Sequence, residues 1–282
     1  MKGGQTKKMD KIEKLDKATI HHGKYSDRLY IMKFPLDGDG ALVDKITNMA
    51  IDSGYSKITG KIPKKVLSLF LDNEYKVEAS IPKFYNGEED CTFVSRFLDM
   101  ERAVYDPEPL KEFRKVLDGY QYTGEANYEN DYDIRKLDKS DADDIVAVFK
   151  EVFDTYPFPI HNPEYIKETI DNDVVYFGVF IDGKLQSVSS SEMDVKNQNA
   201  EMTDFATLDS ARGKGLSKLL LHEMEKHMKS RGMKTLYTIA RLKSIPMNKT
   251  FLGAGYSYSG TLINNTNIAG GIESMNILYK YV

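Results

Sequence analysis

"SARGKGLSKLL", residues 210–220, sets two glycines and two basic side chains ahead of leucines spaced as on one face of a helix. A helix start leaves about four backbone N–H groups without intrahelical acceptors and carries the positive end of the helix dipole. Such a turn can hold phosphate through main chain alone, and Gly213 and Gly215 let a ligand come close. A lone G-x-G also opens helices for purely conformational reasons, so the flanking sequence has to decide.

The flanks form an alternating α/β pattern. "YDIRKL" (132–137) reads as a short strand. Ser140 with Asp143 then forms an N-cap box for a helix carrying Ile145, Val148, Phe149, Val152 and Phe153 on one face. "TYPFPI" (155–160) ends that helix. "VVYFGVFI" (174–181), "DG" and "LQSVSSSEM" (185–193) give a hairpin, and "AEMTDFATL" (200–208) is a third strand feeding into the glycine turn. Beyond the turn, Leu216, Leu219, Leu220, Met224 and Met228 recur at helical spacing until Gly232 stops the helix before the strand "KTLYTIAR" (234–241). A short helix around 246–252 and strands near 256–264 and 273–281 follow.

The 282 residues are 41% hydrophobic and 29% charged, as in a globular protein of one large or two modest domains. No apolar run approaches about 18 residues and the formal net charge is -4, so neither membrane nor nucleic acid is expected as a partner. The start, "MKGGQTKKMDKIEKLDK", has no apolar signal region, and one cysteine excludes an intramolecular disulfide or a multi-cysteine zinc site. The expectation is a reducing cytoplasm and no metal. Cys91, in the alternating "DCTFVSRFL" (90–98), reads as a buried structural residue, and His21 with His22 as a solvated pair.

The first 125 residues echo the tail. "FLDNEY" (70–75) matches "FLGAGY" (251–256), each after a strand and short helix, and "CTFVSRFL" (91–98) falls where "ESMNILYK" (273–280) falls. "FPLDGDGALVDKI" (34–46) resembles the phosphate turn, but Asp37 and Asp39 stand where the second half has Arg212 and Lys214. Two carboxylates there repel a pyrophosphate. A polar linker is expected from Gly119 to Asn130.

Strand, "RGKG" turn and amphipathic helix together resemble motif A of the GNAT acetyltransferases, R/Q-x-x-G-x-G/A, here Arg212, Gly215 and Ser217, with Ser in place of the last small residue. No G-K-[ST] follows the glycines for a P-loop, and the turn comes too late for a first Rossmann unit. "AEMTDFAT", "LYTIAR", "MNKTFLGAGY", "GTLINNTNI", "GGIESMN" and, in the first half, "IPKFYNGEE" are similar to the β-lysine N6-acetyltransferase family. That family acetylates the terminal amine of β-lysine to make a compatible solute. The resemblance implies a mixed α/β, tandem GNAT-like architecture. A degenerate, partial domain without a cofactor site spans 1–125, and a complete catalytic domain spans 131–282.

It implies acetyl-CoA as cosubstrate, its pyrophosphate held by amides of Arg212, Gly213, Lys214, Gly215, Leu216 and Ser217, with Asn248 also on the cofactor. It further implies that the third strand splays from the fourth, so that the acetyl carbonyl meets backbone N–H groups near Ala206, Thr207 and Leu208. An alkyl ammonium has a pKa of about 10.4, so a base must take its proton before nitrogen attacks the thioester. Glu201 is at the position where histone-type GNAT enzymes carry their general-base glutamate. Strand alternation puts Glu201 and Thr203 on one face and turns Asp204 away, as an ammonium anchor or a structural partner. Phe251 occupies the place of the usual acid tyrosine, leaving Tyr256, Tyr258 or water to protonate the thiolate. Arg241 is a candidate for the substrate carboxylate and Glu273 for its 3-amino group, with Asn264, Asn265, Asn267 and Glu192 as further polar candidates.

Three functions compete: acetylation of β-lysine; acetylation of another diamine, polyamine or protein lysine; and a non-catalytic acyl-CoA module. Retention of Glu201 and Arg212 speaks against the last. Oligomeric state stays open, a homodimer included.

Overall fold

Two sheets carry the chain in this computed structural model, which describes residues 9–120, 122 and 132–282. The first half runs β1 (Lys11–Leu15), β2 (Ala18–Gly23), β3 (Arg28–Lys33), α1 (Gly40–Asp52), β4 (Lys57–Pro63), α2 (Leu67–Leu71), β5 (Lys76–Tyr85), β6 (Glu89–Phe97) and α3 (Glu108–Asp118). The second runs β7 (Asp133–Leu137), α4 (Ala142–Val152), α5 (Pro163–Asp171), β8 (Val174–Ile181), β9 (Lys184–Asp194), β10 (Asn199–Thr207), α6 (Leu216–Ser230), β11 (Thr235–Arg241), α7 (Ile245–Gly253), β12 (Ser257–Ile268) and β13 (Gly271–Tyr281).

The sheet orders are β1-β2-β3-β4-β6-β5 and β7-β8-β9-β10-β11-β13-β12. Without β7, the second order repeats the first strand for strand. Each sheet has one parallel pair, β3–β4 and β10–β11, bridged by α1 and α6 respectively. The quoted echo makes the same local structure twice. Phe70 and Tyr75 pack edge to face at 5.1 Å, Phe251 and Tyr256 at 5.0 Å, and each tyrosine N–H donates to its phenylalanine carbonyl at 3.1 Å. Among the described residues, the first half has no counterparts of β7, α4 and α5.

Apolar periodicity explains the second core: Leu216, Leu219, Leu220, Met224 and Met228 of α6 pack on Val175, Phe177 and Val179 of β8. Asp182 and Gly183, at φ 51° and 72°, make the two-residue turn between β8 and β9 that matches strand twist. The N-cap box before α4 is formed by Asp138 and Asp141, not by Ser140 and Asp143. Arg135 selects that register by binding Asp141 at 2.7 and 2.9 Å.

The halves meet along β5 and β12. Their shared cluster joins Ala79, Ile81, Phe84 and Phe93 to Tyr237, Leu262, Ile268 and Ile277. The backbones come so close that a Cβ on Gly260 would lie 2.1 Å from Glu78 O. Arg102 ties the junction, donating from Nε to Asn264 O at 2.7 Å and from Nη2 to Ser26 O at 3.0 Å. Most of the expected linker, residue 121 and residues 123–130, lies outside the described residues. His21 and His22 are buried rather than solvated, and Phe158 of the second half covers His21, stacking on it at 4.5 Å. His22 Nδ1 is 2.8 Å from Tyr55 Oη. Cys91 is buried in β6, which pushes its thiol up to about 12 and leaves it unreactive.

Candidate active site

Parallel pairing between β10 and β11 covers Asn199–Glu201 against Thr235–Tyr237 and then stops. β11 continues beside β13 as far as Arg241, while β10 stays with β9. A bulge between Thr203 and Ala206, with Asp204 at φ 55°, bends β10 outward. The strands therefore splay as the resemblance implied, and the gap opens into a cavity of about 1300 Å³ lined by both halves.

One end of the cavity is the glycine turn. Gly213 and Gly215 take φ 82° and 74°, and a Cβ on either would meet nothing within 4 Å, so the main chain lies open. Gly215 caps α6 without a side-chain bond, and the first backbone donation into the helix is Lys218 N–H to Gly215 O at 3.0 Å. The amides from Gly213 to Ser217 thus stand without helical acceptors beside the cavity, the arrangement a pyrophosphate needs. Arg212, Gly213, Gly215, Leu216 and Ser217 line it, and Lys218 joins them; Lys214 points to solvent instead. Arg212 is paired with Asp209 at 2.7 Å.

In the first half the same turn is closed. Asp39 caps α1 by accepting from Leu42 N–H at 3.0 Å, and the Phe34 ring lies where a Cβ on Gly38 would sit, 2.2 Å away.

Four carboxylates line the cavity: Asp194, paired with Lys33 at 3.4 Å, and Glu192, Glu201 and Asp204. Asp204 faces the cavity with Glu201, contrary to strict alternation, because the bulge adds a residue and its left-handed backbone turns the side chain back. Both its oxygens are engaged, one by the Tyr156 hydroxyl and one by Ser190 Oγ at 2.5 Å. Burial raises its pKa against the pull of those bonds. Glu201 is also raised by burial, opposed by the Lys61 charge and the Tyr237 hydroxyl. Glu192 is pushed up to about 8 by burial and by the charges of Glu201 and Asp204.

The first half supplies the facing wall. Arg28, Tyr30 and Met32 alternate along β3 toward the cavity, while Leu29 and Ile31 fill the core behind. Lys61 of β4 donates to Tyr237 Oη at 2.5 Å. Sequence reasoning missed Arg28, Tyr30, Lys61, Tyr156, Ser190 and Tyr237. The legible signal was "RLYI" (28–31), where Arg28 and Tyr30 alternate with Leu29 and Ile31, marking a second face with work to do.

Several expected residues serve structure instead. Arg241 borders the cavity, but its Nε and Nη2 bind Glu273 at 3.0 and 2.8 Å, so the two satisfy each other rather than clamp a substrate. Asn248 is fully buried. Its amide donates to Arg241 O and Ser244 O, both at 2.9 Å, and its Oδ1 accepts from Asn276. Asn264 donates to Arg102 O and Val104 O, and Asn267 to Tyr25 O, all across the junction of the halves. Asn265 does line the cavity. Tyr256 packs on Phe251, with its phenol beside Glu225, and Tyr258 Oη is 2.7 Å from Thr261 Oγ1; neither lines the cavity. Leu208 N–H is spent on Gln186 O at 3.0 Å, which leaves the Thr207 N–H on the opposite, splayed edge. Ala206 is buried away from the cavity, whereas Thr207 borders it. Among the described residues, no group of three His, Cys, Asp or Glu is placed to hold a metal, and no helix is long and apolar enough to cross a membrane.

The profile of the Acetyltransferase (GNAT) family matches residues 142–253. Over 275 residues the chain is 38% identical to the Beta-lysine N(6)-acetyltransferase of Methanococcus maripaludis, covering 96% of this chain and 99% of that protein. It is 33% identical over 201 residues to the protein of the same name from Methanosarcina mazei, covering 71% and 74%. With the N-acetyltransferase YodP of Bacillus subtilis it shares 29% over 267 residues, 93% and 95% of the two chains. A GNAT fold, an open phosphate turn and a splayed strand pair make this chain an acetyl-CoA-dependent N-acetyltransferase, and it belongs to the β-lysine N6-acetyltransferase family.

Proposed function

We propose that this chain transfers the acetyl group of acetyl-CoA to the terminal amine of β-lysine, with Glu201 as general base. The observation that carries the reading is the placement of Glu201 at the last paired position of β10 and β11, where the strands part and the cavity begins. Relatives matching nearly the whole chain bear the β-lysine name, which supports the substrate.

Glu201 accepts a proton from the substrate ammonium, and its raised pKa narrows the gap to the amine. The freed nitrogen bonds to the thioester carbonyl carbon, the C–S bond breaks, and the second proton that the nitrogen sheds on becoming an amide passes through water to the thiolate. Thr207 N–H is the donor placed for the carbonyl oxygen. Glu192 gives up its proton as the ammonium arrives and becomes its counter-charge, and Asp204 fixes Tyr156 in the wall. The first half, its turn closed by Asp39 and Phe34, binds no acetyl-CoA. The product's role as a compatible solute in the cytoplasm belongs to the same reading.

The test compares kcat/KM for β-lysine, α-lysine, ornithine, spermidine and a lysine-containing peptide, with mass spectrometry of the products. β-Lysine acetylated at its terminal amine should lead the series. Preference for spermidine or peptide would refute the substrate and leave the acetyltransferase standing.

A further inference from the structure

The cavity carries unanswered charge of both signs. Glu192, Glu201 and Asp204 line it, and among the described residues no Lys or Arg nitrogen lies within 4.0 Å of their oxygens. Arg28 lines it too, at 4% exposure, and no carboxylate of the described residues lies within 4.0 Å of its guanidinium. A guanidinium withdrawn from water without an anion is strongly unfavourable, and burial pulls Arg28 down to about 10.

The unused part of Arg28 is specific. Its Nη1 donates to Asn265 O at 3.0 Å, but its Nε is buried with no acceptor, and the Oδ1 of Asn265 is buried with no donor. Nε and Nη2 form the two-pronged edge with which Arg241 grips Glu273. On Arg28 that edge has no partner among the described residues. Of the other cations that line the cavity, Arg241 is engaged by Glu273 and Lys61 by Tyr237 beside Glu201, while Lys14, Lys33, Arg212, Lys218 and Lys249 are exposed to solvent.

We propose that Arg28 is the anchor for a carboxylate on the amine substrate, so that the first half reads the acid group while Glu192 and Glu201 of the second hold the ammonium and take its proton. The inference rests on the β-lysine reading, because that substrate carries one carboxylate and two amines. Tyr30, two residues along β3 on the same face, has its ring centroid 5.1 Å from the Arg28 guanidinium carbon and lines the same cavity as Glu192 and Glu201. A half whose own phosphate turn is shut thereby keeps a task in the reaction.

The experiment measures KM and kcat for β-lysine and for 1,4-diaminopentane, the same diamine without its carboxylate. Wild type, Arg28→Gln, Arg28→Lys and Lys61→Gln are compared, with calorimetric acetyl-CoA affinity as the check on folding. Wild type should prefer β-lysine. Arg28→Gln should raise KM for β-lysine about 10- to 150-fold, the loss of hydrogen bonds to a charged group, while 1,4-diaminopentane and acetyl-CoA are handled as before. Arg28→Lys keeps the charge without the fork and should recover part of the loss; it also serves if the glutamine variant does not fold. Equal losses for both substrates in Arg28→Gln, or discrimination that disappears with Lys61 and survives without Arg28, would overturn the anchor and leave β-lysine as substrate. A wild type that prefers 1,4-diaminopentane would overturn the substrate reading and the anchor together.

Discussion

Glu192 and Glu201 stand directly opposite one another on adjacent antiparallel strands, β9 and β10, with the cavity between the halves in front of them. Like charges at such a position repel, and above about pH 8, where Glu192 is ionised, the pair stores that repulsion until a cation arrives.

The stored repulsion should show in stability. In the folded chain Glu192 titrates at about 8; unfolded, it returns to about 4.3. Between those values the folded state binds more protons than the unfolded one, so this site destabilises the ligand-free protein as pH rises from about 4 to about 8. Glu192→Gln removes the titration. Thermal melts should place the variant further above wild type at pH 8 than at pH 5. A gap that does not change with pH would exclude Glu192 as the source.

Glu201→Gln should leave acetyl-CoA binding intact and lower turnover about 10²-fold or more near neutral pH. The deficit should shrink as pH rises toward the amine pKa of about 10.4, where free amine needs no base. Asp204→Asn should not reproduce that pH signature, since Asp204 is bonded to Tyr156 and Ser190. If it does, the base is Asp204.

Titration calorimetry should find one acetyl-CoA per chain. Gly215→Val should weaken binding at least tenfold, because a β-branched residue is strained at φ 74° and its side chain would enter the space over the amides. Two sites per chain would mean that the Asp39-capped turn is open after all.

Arg241→Met should destabilise the fold by about 3 kcal/mol, because it leaves Glu273 buried without its partner. Replacing both by methionine should restore most of the loss. Equal melting losses in the single and double variants would show that the pair is not what holds the site.

Legibility in the sequence followed the range of the interactions. The hairpin at Asp182–Gly183, the α6 stripe and the open glycine turn depend on residues a few positions apart, and all three were readable. The face of Asp204 depends on a bulge set by how β10 pairs with β9, which local alternation does not encode. Arg241 and Glu273 are 32 positions apart and meet because β11 and β13 lie side by side. His21 looked solvated because Phe158, which covers it, belongs to the other half. Arg28 escaped notice for the same reason: its significance appears when β3 is seen across the cavity from Glu201.

The junction of β5 with β12 also bears on synthesis. β5 leaves the ribosome about 170 residues before β12 exists, a delay of about 10 to 35 s at ordinary elongation rates. During that interval Ala79, Ile81 and Phe84 have no Leu262 or Ile277 to lie against. The nascent first half is then a sticky, unfinished body, and chains truncated near residue 120 should precipitate or remain bound to chaperones even though their own sheet is complete.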